Sequence, residues 1–490
     1  MLSKLRENNI QIMMYIDDAL IVQSTFDECL QATRDTLKLM QDLGFNISWE
    51  KCTLIPTHKI KYLGFVIDSE EMSIRPLEEK IEDIKNQCKS IRERNRISIR
   101  DLAQLIGKLI ALTPGNKYGY LFCKRLENYK NKWLKKNLGD YNSLIILAEE
   151  IIEDIKWWEN NAGSFPVSLR MLENVLVITS DASTSGWAGV CEGETINGLW
   201  SDEEQSMHIN LLEIKAAFLS IKTFAEGKKK VLIKLYSDNQ CTVLCINKQG
   251  STKNKINELI RSTWLFCKEN TLELVAIHVP SEQNVADEGS RRKGLETEWS
   301  LRDHEYQIIE NKFGPFDADL FASRINKKVD RYVSWHKDCD AWRIDAFSFL
   351  WSDIYSYIFP PFSMILKTLH KVQVDKAECI IIVPWWKSQV WVPKLMTLLA
   401  DYPVLLPKDK HILEHPMKET HPILKKSRLI ACRLSGHSYK NREFQRKLRT
   451  QLCPPGEKEH ETNMNQYLNN GLFFVVNGMK APFQNLLDSY

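Results

Sequence analysis

Hydrophobic and polar positions alternate between two periods along this chain. Residues 175–178 and 231–236 are apolar runs of strand length and read as buried strands, and 272–279 is strand-like. Between the first two, Gly186-Trp-Ala-Gly-Val190 and Gly198-Leu-Trp200 read as a hairpin. Leu211, Ile214, Phe218 and Ile221 recur at helical spacing, predicting an amphipathic helix with Glu213 in its first turn. Near the N-terminus, Ile12 and Met13 on one side and Ile21 and Val22 on the other flank Asp17 and Asp18, which predicts a hairpin with both acids at its tip. A helix is expected over 26–43. Further helices are expected within 75–140, where Leu102, Leu105, Ile106 and Leu109 share a face. Later, 379–383, 404–406 and 429–432 read as strands interleaved with helices, the pattern of a doubly wound α/β domain.

Candidate chemistry falls at the ends of these elements. Asp181 closes one strand run and Asp238 another, Glu213 lies on the helix, and Asp287 opens a short polar helix after the third run. Each acid alone has an ordinary reading. Asn210-Leu-Leu-Glu213 fits a capping box, Asp181 and Asp238 fit strand-to-loop positions, and Asp287 fits a helix start favoured by the dipole. Together they place four carboxylates at one sheet edge, where they repel unless cations neutralise them. Hard oxygen donors suit Mg²⁺ or Mn²⁺, and two such ions about 3.5–4 Å apart serve phosphodiester cleavage.

The motifs Thr179-Ser-Asp181-Ala-Ser183, Leu212-Glu-Ile-Lys-Ala216, Ser237-Asp-Asn-Gln240 and His278-Val-Pro-Ser-Glu-Gln-Asn-Val-Ala-Asp287 make residues 169–295 resemble the ribonuclease H domain of retroelements. The resemblance implies a ribonuclease H-like mixed sheet with helices and hydrolysis of RNA in RNA–DNA hybrids. Asp181, Glu213, Asp238 and Asp287 would be the catalytic metal ligands. Many relatives carry Gly-His before the last Asp. Here that loop is Pro280-Ser-Glu-Gln-Asn284, and His278, inside a strand run, reads as structural.

Tyr15-Ile-Asp17-Asp18 resembles the hairpin of reverse transcriptases. Residues 44–53 and 61–68 follow in that family's order, so 1–74 resemble the C-terminal part of a polymerase palm. The resemblance makes Asp17 and Asp18 metal ligands and Lys51 the donor to departing pyrophosphate, against the plainer readings of an exposed turn and a solvated lysine. No Asp precedes Tyr15, so the third palm carboxylate is missing and DNA synthesis by this chain alone is not expected. Residues 75–168 then take the place of a helical thumb and connection. Positions 75–140 hold 16 Lys and Arg against 8 Asp and Glu, in a chain of net charge +3. Arg92, Arg94, Arg96 and Arg100 cluster there. A charge run is ordinarily a solvated face, but this position suits contacts to nucleic-acid phosphates.

After an expected polar linker (296–312), residues 313–436 resemble phage-type DNA adenine methyltransferases, through Asp319-Leu-Phe-Ala-Ser-Arg-Ile-Asn326 and Pro360-Pro361-Phe362. The resemblance implies a Rossmann-like fold, S-adenosylmethionine near Asp319 and Asn326, and base stacking on Pro360, Pro361 and Phe362. Phe359 stands where the family has the acceptor for the adenine amine and cannot accept that bond. A structural Pro-Pro turn is the competing reading, and methyl transfer is not expected. The order of these segments resembles the Pol protein of DIRS-type retrotransposons, whose partner is a separately encoded tyrosine recombinase. The expected function is hybrid cleavage, and the alternative is an inactive nucleic-acid-binding relic.

Composition adds bounds. The 490 residues with 43% hydrophobic content suffice for several cores. No long apolar run or signal-like leader is seen, so a membrane span is not expected. The 12 cysteines are scattered, which suits reduced thiols in the cytoplasm or nucleus. A partly disordered tail is expected over 437–490.

Overall fold

The computed structural model describes residues 1–170, 172–291, 299–415, 418–425, 427–452, 473–476 and 479–486. The chain forms two units: residues 1–176, 228–234 and 240–276, and residues 177–227, 235–239 and 277–490.

The chain begins with α1 (Leu2–Glu7), the antiparallel hairpin β1 (Gln11–Tyr15) and β2 (Asp18–Val22), and α2 (Phe26–Asp42). Thr25 caps α2 by accepting the Glu28 N–H at 3.3 Å. Strands β3 (Lys59–Tyr62), β4 (Phe65–Asp68) and β5 (Ser73–Pro76) form an antiparallel sheet. The helical region comprises α3 (Glu78–Arg92), the short β6 (Ile97–Ser98), α4 (Ile99–Leu112), α5 (Gly119–Lys136), β7 (Leu144–Ile145) and α6 (Glu149–Asn161). A capping box of Ser98 and Asp101 starts α4, and Leu102, Leu105, Ile106 and Leu109 are all buried, as their spacing predicts. Then β8 (Val167–Ser168) pairs with β5.

Next come β9 (Val175–Ala182), β10 (Gly186–Cys191), β11 (Glu194–Leu199), α7 (Asp202–Gln205), α8 (Ile209–Phe224), β12 (Leu232–Ser237), α9 (Gln240–Asn247), α10 (Asn254–Glu269), β13 (Glu273–His278) and α11 (Asp287–Ser290). The sheet order is β11-β10-β9-β12-β13, with β9, β10 and β11 antiparallel neighbours. Two expectations need correction. First, β9 is not buried on both faces: Val175 and Val177 are exposed while Leu176 and Ile178 are buried, a half-covered strand of period two. Second, α8 has no single apolar face, because Leu212, Ile214, Ala216, Ala217, Leu219 and Ile221 are all buried. Its start is capped by the His208 ring, which accepts the Asn210 N–H at 3.1 Å, so Asn210 and Glu213 form no capping box.

The remaining elements are β14 (Ser300–Leu301), α12 (Asp303–Phe313), β15 (Ala318–Asp319), β16 (Val333–Ser334), β17 (Arg343–Ile344), β18 (Tyr355–Ile358), α13 (Ile365–Val374), β19 (Glu378–Pro384), α14 (Val392–Thr397), β20 (Val404–Leu405), β21 (Leu413–Glu414), β22 (Leu429–Ser435), α15 (Ser438–Leu452), β23 (Phe473–Val476), β24 (Met479–Pro482) and β25 (Gln484–Asn485). A six-stranded sheet runs β15-β18-β19-β22-β20-β25. It is mixed, with helices on both faces: β15, β18 and β19 are parallel, and β22 is antiparallel to β19 and to β20. From Cys379 onward strand β19 is apolar because both faces are covered. Cys379, Ile381 and Val383 join a core with α13, α14 and α15 residues, while Ile380 and Ile382 join another with Tyr306, Ile309 and Phe313 of α12.

Residues 303–312, expected in a polar linker, therefore belong to a core helix whose apolar positions are outnumbered by polar and charged ones. The expected disordered tail likewise starts as α15, with Phe444 and Leu448 in the core. Residues 453–472 of that tail, and 292–298 at the start of the expected linker, lie outside the described residues. Among the described residues, no helix is long and apolar enough to cross a membrane, and no disulfide links the cysteines.

Candidate metal centre and neighbouring sites

Asp181 lies within β9, opposite Ala188 of β10, rather than beyond its end. Glu213 is the fifth residue of α8, and Asp238 follows β12 directly. Oxygens of Asp181, Glu213 and Asp238 lie within 4.8 Å of one another. Asp181 and Glu213 are buried, and Asp238 is half-buried. The Ser290 hydroxyl donates to Asp181 at 2.5 Å and the Asn284 amide at 3.0 Å. The Ser281 hydroxyl donates to Asp238 at 2.6 Å. Glu213 accepts the Ala182 N–H, yet its Oε2 is buried without a hydrogen-bond partner.

The electrostatics follow from this crowding. Burial, then the charges of Asp181 and Asp238, push the Glu213 carboxyl up to about 9. Burial also raises Asp181; the Ser290 hydrogen bond opposes this, while Asp238 and Asp287 add to it. Three converging carboxylates, one with an orphaned buried oxygen, fit a hard divalent cation.

Asp287 opens α11 as expected but stays outside the three-acid cluster. It pairs with Arg291 at 2.6 Å, and its charge is still near enough to raise both Asp181 and Glu213. His278 ends β13, with Nε2 3.1 Å from the Asp238 carbonyl oxygen. Sequence reasoning missed Ser281, Asn284 and Ser290. Their only signal was polarity in the loop and turn flanking the last acid.

In the N-terminal hairpin, Tyr15 pairs with Asp18, so the two-residue turn is Ile16 and Asp17, and Asp18 opens β2. Both acids are exposed. Ile16 has φ +56°, a left-handed conformation unfavourable for a β-branched side chain. Neither Asp17 nor Asp18 belongs to a three-ligand cluster among the described residues. Lys51 ends an exposed helical turn.

Of the arginine group, Arg92 is engaged within the fold: Nε and Nη2 donate to Glu159 at 3.0 and 3.3 Å. Arg100 donates to Asn142 at 3.2 Å. Arg94, Arg96 and Arg100 remain exposed.

In the C-terminal sheet, Asp319 is fully buried and burial pushes its carboxyl up to about 7. Its oxygens accept the Phe321 and Lys328 N–H groups at 3.3 and 3.1 Å. Asn326 accepts the Ser323 N–H and hydroxyl at 2.6 and 3.1 Å. Both side chains thus hold their own loop together. A cavity of about 310 Å³ beside that loop is lined by residues including Trp187, Leu199, Phe321, Trp335, Pro361 and Met364, and by neither Asp319 nor Asn326. Pro360 is buried, and Phe362 packs at 5.6 Å against both Trp386 and His421.

Comparison with known proteins covers parts of the chain. Residues 1–67 match the family model for reverse transcriptase (RNA-dependent DNA polymerase). Residues 289–401 match that for DNA N-6-adenine-methyltransferase (Dam). A stretch of 71 residues is 35% identical to the Gag-Pol polyprotein of Avian reticuloendotheliosis virus, which is 14% of this chain but 6% of that polyprotein. Among solved structures, the chain is similar to foamy viral protease-reverse transcriptase in complex with dsDNA, at 18% identity and a TM-score of 0.29, covering 57% of each chain. The complex of the foamy viral enzyme with RNA/DNA hybrid gives 17% identity and a TM-score of 0.29, covering 61% of this chain and 40% of that one. Residues 1–67 are thus reverse transcriptase-like, the chain carries a stretch related to a retroviral Gag-Pol polyprotein, and a methyltransferase-like segment spans residues 289–401.

Proposed function

We propose that this chain is a retroelement Pol protein, of the DIRS type its segment order resembles, and that residues 169–295 cleave RNA in RNA–DNA hybrids. The observation that carries this reading is the convergence of Asp181, Glu213 and Asp238 from three separate elements, with the Glu213 Oε2 buried and unpartnered. Mg²⁺ or Mn²⁺ would be held by these three, with Asp287 at the margin. When bound, two such ions lower the pKa of water and neutralise charge on the phosphodiester.

The chain's own residues then have distinct tasks. Ser290 and Asn284 aim Asp181, Ser281 aims Asp238, and α8 delivers Glu213. Hybrid recognition rests on helix shape and 2′-hydroxyls rather than base sequence. Exposed Arg94, Arg96 and Arg100 supply phosphate contacts. Asp17, Asp18 and Lys51 belong to the polymerase segment. The methyltransferase-like segment lacks an acceptor at Phe359, and S-adenosylmethionine is not required for cleavage. A tyrosine recombinase encoded separately is the proposed partner in transposition.

The test is incubation of the full chain with a labelled hybrid, single-stranded RNA and duplex DNA, with Mg²⁺, Mn²⁺ or chelator. Cleavage of the hybrid's RNA strand, dependent on metal and lost in Asp181→Asn and Asp238→Asn, is expected. Equal cleavage by either variant would overturn the assignment.

A further inference from the structure

Three ion pairs tie residues 324–340 to residues 194–222 within the second unit. Lys337–Glu194 at 2.6 Å and Lys222–Asp340 at 2.7 Å are partly solvated, whereas Arg324 meets a buried Glu204 and is itself largely covered. Arg324 grips Glu204 with both ends of its fork, Nη1 to Oε1 at 2.8 Å and Nη2 to Oε2 at 2.9 Å. Its Nη2 also donates to the Leu199 carbonyl at 3.3 Å. Glu204 further accepts the Ser201 N–H at 2.8 Å and pairs with Lys215. Burial alone would raise the Glu204 carboxyl, but Arg324 foremost, then Lys215 and the Ser201 N–H, bring it down to about 2. The corner between β11 and α7 is thus closed by a charge from another part of the chain.

Two short connections lead from this corner to the carboxylate cluster. Lys215 sits on α8 two residues beyond Glu213. Trp200, next to Leu199, donates from Nε1 to the Ser183 carbonyl at 2.9 Å. The Ser183 hydroxyl donates to the Ser290 carbonyl at 2.7 Å, and the Ser290 hydroxyl is the donor to Asp181.

We infer that Arg324 is a positioning residue for the Asp181–Glu213–Asp238 site, so that the methyltransferase-like segment braces the nuclease-like one. The activity arm of its test rests on the hybrid-cleavage reading; the structural arm does not. Arg324 supplies a rigid bidentate fork that Lys cannot reproduce. The exposed pairs Lys222–Asp340 and Lys337–Glu194 contribute little, as surface pairs do.

The experiment compares the full chain with Arg324→Met, Arg324→Lys, Lys222→Met and Lys337→Met, by hybrid cleavage and by amide hydrogen exchange. Arg324→Met is expected to lower kcat about tenfold or more with KM within about twofold, as displacement of a reacting group does. Amides of 201–215 should exchange about tenfold faster in that variant while those of β19 keep their protection. Arg324→Lys should fall between it and the native chain, and the two exposed-pair variants should match the native chain. If Arg324→Met unfolds the whole unit, with β19 deprotected too, Arg324→Lys decides by the same two readings. Unchanged exchange over 201–215 together with native kcat would overturn the inference. If the native chain fails to cleave hybrid, the hybrid-cleavage reading falls, and unchanged exchange alone then overturns the brace.

Discussion

The Ser290 hydroxyl donates a 2.5 Å hydrogen bond to Asp181 across 109 positions of sequence. That bond favours the ionised carboxylate against burial and against the neighbouring charges of Asp238 and Asp287. Ser290→Ala removes it, so the Asp181 pKa rises further. The acid limb of the cleavage rate against pH is expected to move to higher pH, with the rate approaching native at alkaline pH. A profile superimposable on the native one would show that Ser290 does not tune Asp181.

Glu213 gives a stability test in metal-free protein. Its carboxyl is held at about 9 in the fold against an ordinary value of 4.5. Between those values the unfolded chain has released a proton that the folded chain keeps, so stability falls as pH rises through that window. Glu213→Gln removes the penalty and should flatten this dependence. The variant is expected to be more stable than the native protein at pH 8 without metal, on the order of a few kcal/mol. Thermal melts at pH 5 and pH 8 in chelator decide it, and equal slopes would count against the assignment.

Ile16 makes the turn of the N-terminal hairpin at φ +56°. A left-handed conformation costs an L residue roughly 1–2 kcal/mol, of which glycine's extra unfolded-state entropy cancels about half. Ile16→Gly should slow hydrogen exchange of β1 and β2, by up to about 1 kcal/mol of local stability. Faster exchange would mean that the Ile16 side chain contributes contacts that outweigh the strain.

Helix α12 is load on the core rather than linker, with Ile309 fully buried against the six-stranded sheet. Ile309→Ala is expected to cost about 2–5 kcal/mol, measured by denaturant unfolding of the full chain. A cost under about 0.5 kcal/mol would show that α12 does not pack there.

Methyl transfer is the last test. Phe359 offers no acceptor for an adenine amine, and an unsatisfied buried donor costs about 1–3 kcal/mol. Phe362 also packs against Trp386 and His421, so it is not free to stack on a base without moving. Labelled S-adenosylmethionine and DNA should give no methyladenine. Label in adenine that disappears on Phe362→Ala would contradict this.

What could be read from sequence was local. The turn at Asp17, the strand runs before Asp181 and Asp238, the helix bearing Glu213 and the helix opened by Asp287 depend on neighbours within a few residues, where periodicity and turn chemistry act. Tertiary structure alone decided the rest. It buried α8 nearly all round, drew α12 into the core despite its charged surroundings, and left Asp287 outside the tight cluster of the other three acids. It also set Ser290 on Asp181 and Arg324 on Glu204, 109 and 120 positions apart. Periodicity records which face of an element prefers to leave water, but which other element covers that face, and which polar atoms then meet, is fixed only when the packed chain satisfies them together.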